Sequence, residues 1–345
     1  MASDTERSTR MPAAATGSPG WIASLGGPTA GIAIATLLLF AICIVVAPQS
    51  LSSGALSGTV PFAAILALVA LGQTLVIQQG GIDLSVPGVV SLSAVIVCYF
   101  ANGGPGGSPD LVPALALAFG AAALAGLISG ILVSRVSVAP IVATIGMNAL
   151  LYGVNISISG GTPVAIPLEI SAFVNAKLFG LSLLAYLALA VAVVLIFIIK
   201  ATSFGRVFEA VGANERAARA AGIATARYKT AAYIGAALLY AAGGIFLGGL
   251  MQLPSPQQGD NYLMPSIAAA VLGGTSLFGG RGNLAATVIA AIFLTQLQQL
   301  VLTTGASVGV QYLFQGAAIL IGLGVYGVKF KDLSRLFRVR NRSYC

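Results

Sequence analysis

Asp83 is the only acidic residue between Glu6 and Asp110, and it lies between two apolar runs in the stretch Gln78-Gln79-Gly80-Gly81-Ile82-Asp83-Leu84-Ser85, with Pro87-Gly88 close behind. A carboxylate this close to hydrocarbon is costly unless it has a partner. It could cap the helix that begins near Ser85, accepting backbone N–H bonds at the positive helix end. It could instead line a gate or pathway, or relay protons, although a lone intramembrane acid without a second titratable neighbour makes a poor relay. A second glycine-rich stretch, Gly273-Gly274-Thr275-Ser276-Leu277-Phe278-Gly279-Gly280-Arg281-Gly282, superficially resembles a phosphate loop. It lacks the Lys-Ser/Thr pair that would reach phosphate and magnesium, so this chain is not expected to bind ATP. There is no histidine, Cys43 and Cys98 fall in apolar stretches, and Cys345 is terminal. Neither a disulfide framework nor a zinc or haem site is expected, and no catalytic residues or bound cofactor.

The elements that hold these residues are apolar. Ten apolar stretches lie near residues 28–47, 59–79, 85–101, 111–133, 137–157, 180–199, 228–250, 263–279, 284–304 and 308–327. Each is close to the ~17–25 residues that a helix needs to cross hydrocarbon. A mean hydropathy of +0.97 with 8% charged residues would leave a soluble domain of this size short of polar surface. The expected fold is therefore all-α and polytopic, with about ten transmembrane helices broken at the two Gly-rich stretches. The run from Pro28 to Ala47 exceeds the ~7–15 residues of a signal h-region, which favours a retained first helix over a cleaved signal.

With the N-terminus in the cytoplasm, the inside segments hold Arg7 and Arg10; Arg135; Lys200, Arg206, Arg216, Arg219, Arg227 and Lys229; Arg281; and Lys329, Lys331, Arg335, Arg338, Arg340 and Arg342. These are 16 of the 17 basic residues, with Lys177 alone outside. The division follows the positive-inside bias and puts both termini in the cytoplasm. It also accounts for the net charge of +8 without nucleic-acid binding, because the charges are spread over loops and form no single basic domain. Residues 1–27, rich in Ala, Ser, Thr, Gly and Pro, are expected to be a disordered cytoplasmic leader. Residues 28–328 form the membrane domain, and residues 329–345 a basic tail beside anionic lipid headgroups. The segments 48–58, 102–110, 157–180 and 252–261 are expected as short caps on the outer face.

Broken helices at membrane depth survive where protein or a polar cavity satisfies the freed backbone groups, and they often mark a translocation pathway. Gly80, Gly81, Asp83, Ser85, Thr144, Gly273, Gly274 and Thr275 are the candidates for pathway or gate. Small residues that simply let helices approach closely are the competing explanation for the glycines. The two stretches hint at an internal duplication, yet both face the cytoplasm in this topology whereas five-plus-five halves would be inverted; the repeat relationship stays open. The one substantial cytoplasmic connection, 200–229, is too polar to face lipid. Within it, Asn214 is a good N-cap and Glu215 suits the positive helix end, so Glu215 to Ala221 should form a short helix stopped by Gly222. Its Ala217, Ala218, Ala220 and Ala221 bring little apolar area to a lipid surface and suit a groove on a partner protein.

Three of these stretches, Gly80-Gly81-Ile82-Asp83-Leu84-Ser85-Val86, Asn214-Glu215-Arg216-Ala217-Ala218-Arg219 with Gly222-Ile223, and Val271-Leu272-Gly273-Gly274-Thr275-Ser276-Leu277-Phe278-Gly279-Gly280-Arg281-Gly282, look like the signatures of ribose-type ABC transporter permeases, members of the branched-chain amino-acid/sugar permease superfamily. Ala139-Pro140-Ile141-Val142-Ala143-Thr144-Ile145-Gly146-Met147 is also similar, and the resemblance runs from about residue 30 to 328 in family order. Pro87 stands where Gly is usual, and Ala220-Ala221 where Leu-Ser is typical. The resemblance implies a permease subunit of a bacterial inner-membrane importer for a monosaccharide or small polyol. It also implies partners: two ATPase subunits that carry ATP and Mg, an extracytoplasmic solute-binding protein, and a second permease copy or paralogue. The short helix with Asn214, Glu215, Arg216, Ala217, Ala218, Arg219 and Gly222 would be the coupling helix. A branched-chain amino-acid permease is the related alternative, and an ion-coupled secondary transporter the rival; the latter predicts paired intramembrane charges.

Overall fold

The computed structural model describes residues 28–101 and 110–327, so the expectations for the leader, the basic tail and most of the segment 102–110 fall outside it. The chain is helical, with α1 (Pro28–Val46), α2 (Ser53–Gln78), α3 (Val86–Ala101), α4 (Leu111–Ser134), α5 (Pro140–Ser159), α6 (Leu168–Asn175), α7 (Leu183–Ala201), α8 (Ser203–Ala213), α9 (Glu215–Ala220), α10 (Thr225–Met251), α11 (Asp260–Leu272), α12 (Leu284–Thr303) and α13 (Val308–Gly327). The only strands among the described residues are two-residue ones, Lys177–Leu178 and Leu181–Ser182, paired antiparallel. Among the described residues seven helices, α1, α2, α4, α5, α7, α10 and α12, are long and apolar enough to cross a membrane, and α3 is apolar but shorter. The protein is thus an all-α polytopic membrane protein.

Helices α2 and α10 form the centre, and α1, α4, α5 and α7 surround them with exposed apolar faces such as Leu37, Val45, Val142 and Phe197. Lipid tails are as apolar as leucine, so association between such helices depends on close packing. Small residues supply it. Gly72 lies against Tyr240, Gly243 against Val69 and Ile65, Gly126 against Tyr233, and Gly130 against Thr230, each at a distance that leaves no room for a larger side chain. These pairings run antiparallel, setting α2 and α4 on opposite-running faces of α10. Helix α3 runs parallel to α10, with Gly244 seated on Val90 and Gly248 on Ala94.

This packing resolves the repeat. Helix α2 has 26 residues, the chain turns back through 79–85, and the 16-residue α3 follows; helix α10 has 27 residues, the chain turns back through 252–259, and the 13-residue α11 follows. Because α2 and α10 are antiparallel, the two long helix, break, short helix units are inverted. Their short helices start beside each other, with Gly259 against the Pro87 backbone and its N–H donating to Ser91 Oγ at 3.0 Å. The counterpart of the first Gly-rich break is therefore 252–259, which leaves the end of α10 with Gln252, Leu253, Ser255 and Gln257 exposed, as expected of a cap, and then reaches inward to α3 at Gly259. The Gly273 stretch has a different place: α11 stops at Leu272, short of the expected 279, and residues 273–283 connect it to α12. The segment 157–180 likewise holds α6 and the first strand.

Candidate functional site

Helix α9 is closed at both ends by its own sequence. Asn214 (φ −157°, ψ 95°) accepts the Ala217 N–H through its side-chain oxygen at 3.0 Å. At the other end the Ile223 N–H donates to the Ala218 carbonyl and the Gly222 N–H to the Arg219 carbonyl, while Gly222 takes φ +81°. This double bond pattern needs a left-handed residue, which glycine adopts without steric cost. Gly80 after α2 (φ +74°) and Gly274 after α11 (φ +81°) close their helices by the same pattern, so the Gly-rich stretches both begin as helix stops. Glu215 pairs with Arg219 at 2.7 Å and with Lys229 of α10. Partial burial raises the Glu215 pKa, but the hydrogen bond and charge of Lys229, followed by those of Arg219, outweigh it and hold the carboxyl below its ordinary range. Its contribution to docking α9 is then present above the ordinary carboxylate range and lost as pH falls through the lowered value. Ala218 faces inward, whereas Arg216, Ala217, Arg219, Ala220 and Ala221 are exposed.

The amphipathic α8 links this helix to both Gly-rich stretches. Thr202 caps it by accepting the Gly205 N–H, and Phe208 and Val211 are buried. The Phe208 carbonyl accepts from Gln79 Nε2 at 2.9 Å, the Gly280 N–H donates to the Gln78 carbonyl at 2.8 Å, and Gly212 rests directly on that same carbonyl. The residues after α2, the loop after α11 and α8 therefore meet at one point. Both Gly-rich stretches lie at the end of the molecule that carries α8 and α9.

Inside the first break, Asp83 accepts the Ser85 N–H at 2.8 Å and the Ser85 hydroxyl at 2.6 Å. The Ser85 carbonyl accepts the first helical bond, from Val89, so Ser85 is the cap position. Asp83 stands two residues earlier, and its bonds brace the turn into α3. Leu84 N–H is taken by Thr144 Oγ1 at 3.0 Å. Gln73 completes the brace with its amide set so that nitrogen donates to Tyr240 Oη (2.8 Å) and the Asp83 carbonyl (3.2 Å) while oxygen accepts the Asp83 N–H (3.3 Å). Gly81 lies against the Tyr233 hydroxyl. Gly81, Asp83, Ser85 and Thr144 thus belong to one buried cluster, and Gly80 stands exposed beside it. Gly273 packs on Thr287 and Thr275 is buried nearby in the second stretch, and Thr287 meets Thr74 at 3.1 Å.

Toward the opposite end, a cavity of about 700 Å³ opens between α2, the 252–259 break, α11, α12 and α13. Gln258, Asn261, Gln298, Gln299, Gln311 and Gln315 line it, with Thr59, Thr295, Tyr262 and Tyr312. None of these residues was singled out from the sequence. The signal was present in Thr295-Gln296-Leu297-Gln298-Gln299, five residues with four polar side chains inside an otherwise apolar helix. A lining of carboxamides, hydroxyls and aromatic rings, with no Asp, Glu, Lys or Arg among the described residues, can hold an uncharged polar solute.

Long helices broken and inverted about a polar cavity, with a capped amphipathic extension at one end, define a transport subunit of the bilayer. The chain belongs to the family described as branched-chain amino acid transport system / permease component, whose model matches residues 55–323. Its relatives include the ribose import permease protein RbsC of Bacillus subtilis (strain 168), 32% identical over 263 residues, which cover 75% of this chain and 80% of that protein. The autoinducer 2 import system permease protein LsrC of Escherichia coli O9:H4 (strain HS) is 33% identical over 266 residues, 76% of each chain. That of Yersinia pseudotuberculosis serotype O:1b (strain IP 31758) is 32% identical over 265 residues, 76% of this chain and 74% of its own. No solved structure matches the chain significantly. The protein is a multi-pass inner-membrane permease component and not an enzyme, and it works with the other components of an ABC import system.

Proposed function

We propose that this chain is the membrane-spanning subunit of an ATP-driven, binding-protein-dependent importer of a neutral monosaccharide or similar small polyol. The observation that carries this reading is α9: capped at both ends, exposing small and basic side chains, and joined through Gly212 to both Gly-rich stretches. Asn214, Glu215, Arg216, Ala217, Ala218, Arg219 and Gly222 form the contact with the ATPase subunit, which holds the ATP and Mg. Closure of the ATPase pair then moves α8 and shifts the balance between inward- and outward-facing states, through different affinities for the two. Gly80, Gly81, Asp83, Ser85, Thr144, Gly273, Gly274 and Thr275 act as the gate region that receives this motion. A second permease copy or paralogue completes the pathway, and a binding protein delivers solute at the opposite face. The named relatives import ribose and autoinducer 2, and the cavity offers no fixed charge to a zwitterion, which favours a neutral solute over a branched-chain amino acid.

The orientation follows from the basic residues. Arg135, Lys200, Arg206, Arg216, Arg219, Arg227, Lys229 and Arg281 flank or occupy the α8–α9 end, whereas Lys177 lies on the first strand, before the far end of α7, and the positive-inside bias favours a cytoplasmic α8–α9 end. Single cysteines at Leu168 and Ala220, both exposed, test this once Cys345 is replaced by serine. In intact cells an impermeant thiol reagent is expected to label the first and spare the second. Reversed labelling would place α9 outside and remove it from any cytoplasmic ATPase. The import reaction itself is tested by ATP-dependent uptake in the reconstituted complex.

A further inference from the structure

Two carboxamides in the cavity are buried with one atom unsatisfied: Gln258 Oε1 and Gln315 Nε2 have no hydrogen-bond partner among the described residues. Gln258 and Gln315 are 8% and 6% exposed, so bulk water does not supply the missing bond freely. Leaving a buried acceptor and a buried donor unmade is unfavourable, and turning either carboxamide toward the cavity that it lines lets a solute bringing a donor and an acceptor satisfy both. Their remaining atoms make only long hydrogen bonds within the protein. Gln258 Nε2 donates to the Gly244 carbonyl at 3.4 Å, and Gln315 Oε1 accepts from Gln298 Nε2 at 3.5 Å.

The backbone around Gln258 explains why the site is placed here. Gln258 precedes α11, whose start is tied to α3 through Gly259 and Ser91, so the carboxamide is carried on the segment where the two inverted units meet. A shift between the units moves Gln258 relative to Gln315 and Gln298 on α12 and α13. The cavity volume of about 700 Å³ lies within the ~300–1,000 Å³ usual for small-molecule sites. Phe62 and Tyr262 in the lining give apolar faces for C–H groups, while carboxamides present a donor and an acceptor side by side, which matches hydroxyls that each donate and accept.

We propose that this cavity is a solute-binding site of the permease itself, in which Gln258, Gln298 and Gln315 hydrogen-bond a neutral polyhydroxylated solute and the absence of a fixed charge rejects ionised ones. The proposal rests on the import reading for the class of solute. It assigns a low-affinity selection step to the membrane subunit, in addition to the delivery of solute by a binding protein.

The test uses the full-length chain in lipid nanodiscs, without ATPase or binding protein, and saturation-transfer NMR of four probes: D-ribose, D-galactose, myo-inositol and D-ribose 5-phosphate. At least one neutral probe is expected to receive saturation and the phosphate none. Gln315→Leu and Gln298→Leu are each expected to weaken binding by roughly five- to tenfold, the loss of about one hydrogen bond. Gln298 is only half-buried, so its variant carries the test if the Gln315 variant does not fold. Saturation of no neutral probe, equal saturation of the phosphate, or wild-type binding by the folded variants would overturn the proposal. ATP-driven uptake by the reconstituted complex is measured separately. Its survival in the variants with unchanged selectivity would remove the cavity and leave the import reading, whereas its absence in the wild type would remove the import reading.

Discussion

Replacing Gly212 with valine is expected to abolish the coupling of ATP hydrolysis to uptake. A Cβ at this position overlaps the Gln78 carbonyl and comes within 3.0 Å of the Gly280 nitrogen, and both are backbone groups that cannot turn aside as a side chain could. Those two groups are hydrogen-bonded to each other, so the added methyls enter the junction of α8 with both Gly-rich stretches. Overpacking of this kind costs ~1–3 kcal/mol. Applied to one of two conformational states, that is a shift of roughly 5–150-fold in their balance. In proteoliposomes holding the whole complex, stimulation of ATP hydrolysis by loaded binding protein and solute uptake should both fall by more than tenfold, while the ATPase still co-purifies through α9. Full stimulation with full uptake would show that α8 transmits nothing through this contact.

Asp83 separates bracing from charge. Asp83→Ala removes the acceptor of both Ser85 bonds, and a buried donor left without its partner costs ~1–3 kcal/mol. Asp83→Asn keeps one side-chain oxygen that can accept both bonds, while it cannot ionise and carries an NH2 in place of the second oxygen. Uptake by the Asn variant is expected to persist at a reduced rate, with ATP hydrolysis still responding to loaded binding protein, and the Ala variant to lose more than tenfold. Equal and complete loss in both variants would assign Asp83 a role that needs its charge in the pathway.

The sequence was most legible where structure is local. The Asn214 cap, the helix that follows and the Gly222 stop depend on a few adjacent residues, and each has the expected form. The glycines at 80 and 274 were read as parts of helix breaks from their Gly-rich surroundings, and both take a positive φ that an L side chain does not accept easily. The inward reach of 252–259 was missed because Gln252-Leu253-Pro254-Ser255-Pro256-Gln257-Gln258-Gly259 has the composition of a surface loop, which half of it is. Only the inverted partner unit and the cavity make that polarity compatible with the interior. Asp83 lay at the right place, but its cap partner proved to be the turn at Ser85, and the Gln73 and Tyr240 contacts span sequence separations that no local pattern encodes. The carboxamides on α12 and α13 were hidden by high average hydropathy, since a few polar residues on one face barely change the mean of a 20-residue helix.

Solute uptake into proteoliposomes containing the permease, its ATPase and its binding protein tests ATP-driven import most directly. The quantity measured is accumulation of a radiolabelled sugar retained by the binding protein, with ATP supplied to the α9 face and no ion gradient across the membrane. ATP-driven import predicts accumulation against the gradient that stops when ATP is withheld or when Asn214→Ala and Gly222→Val together displace α9. Accumulation driven by an imposed proton or sodium gradient without ATP would contradict it.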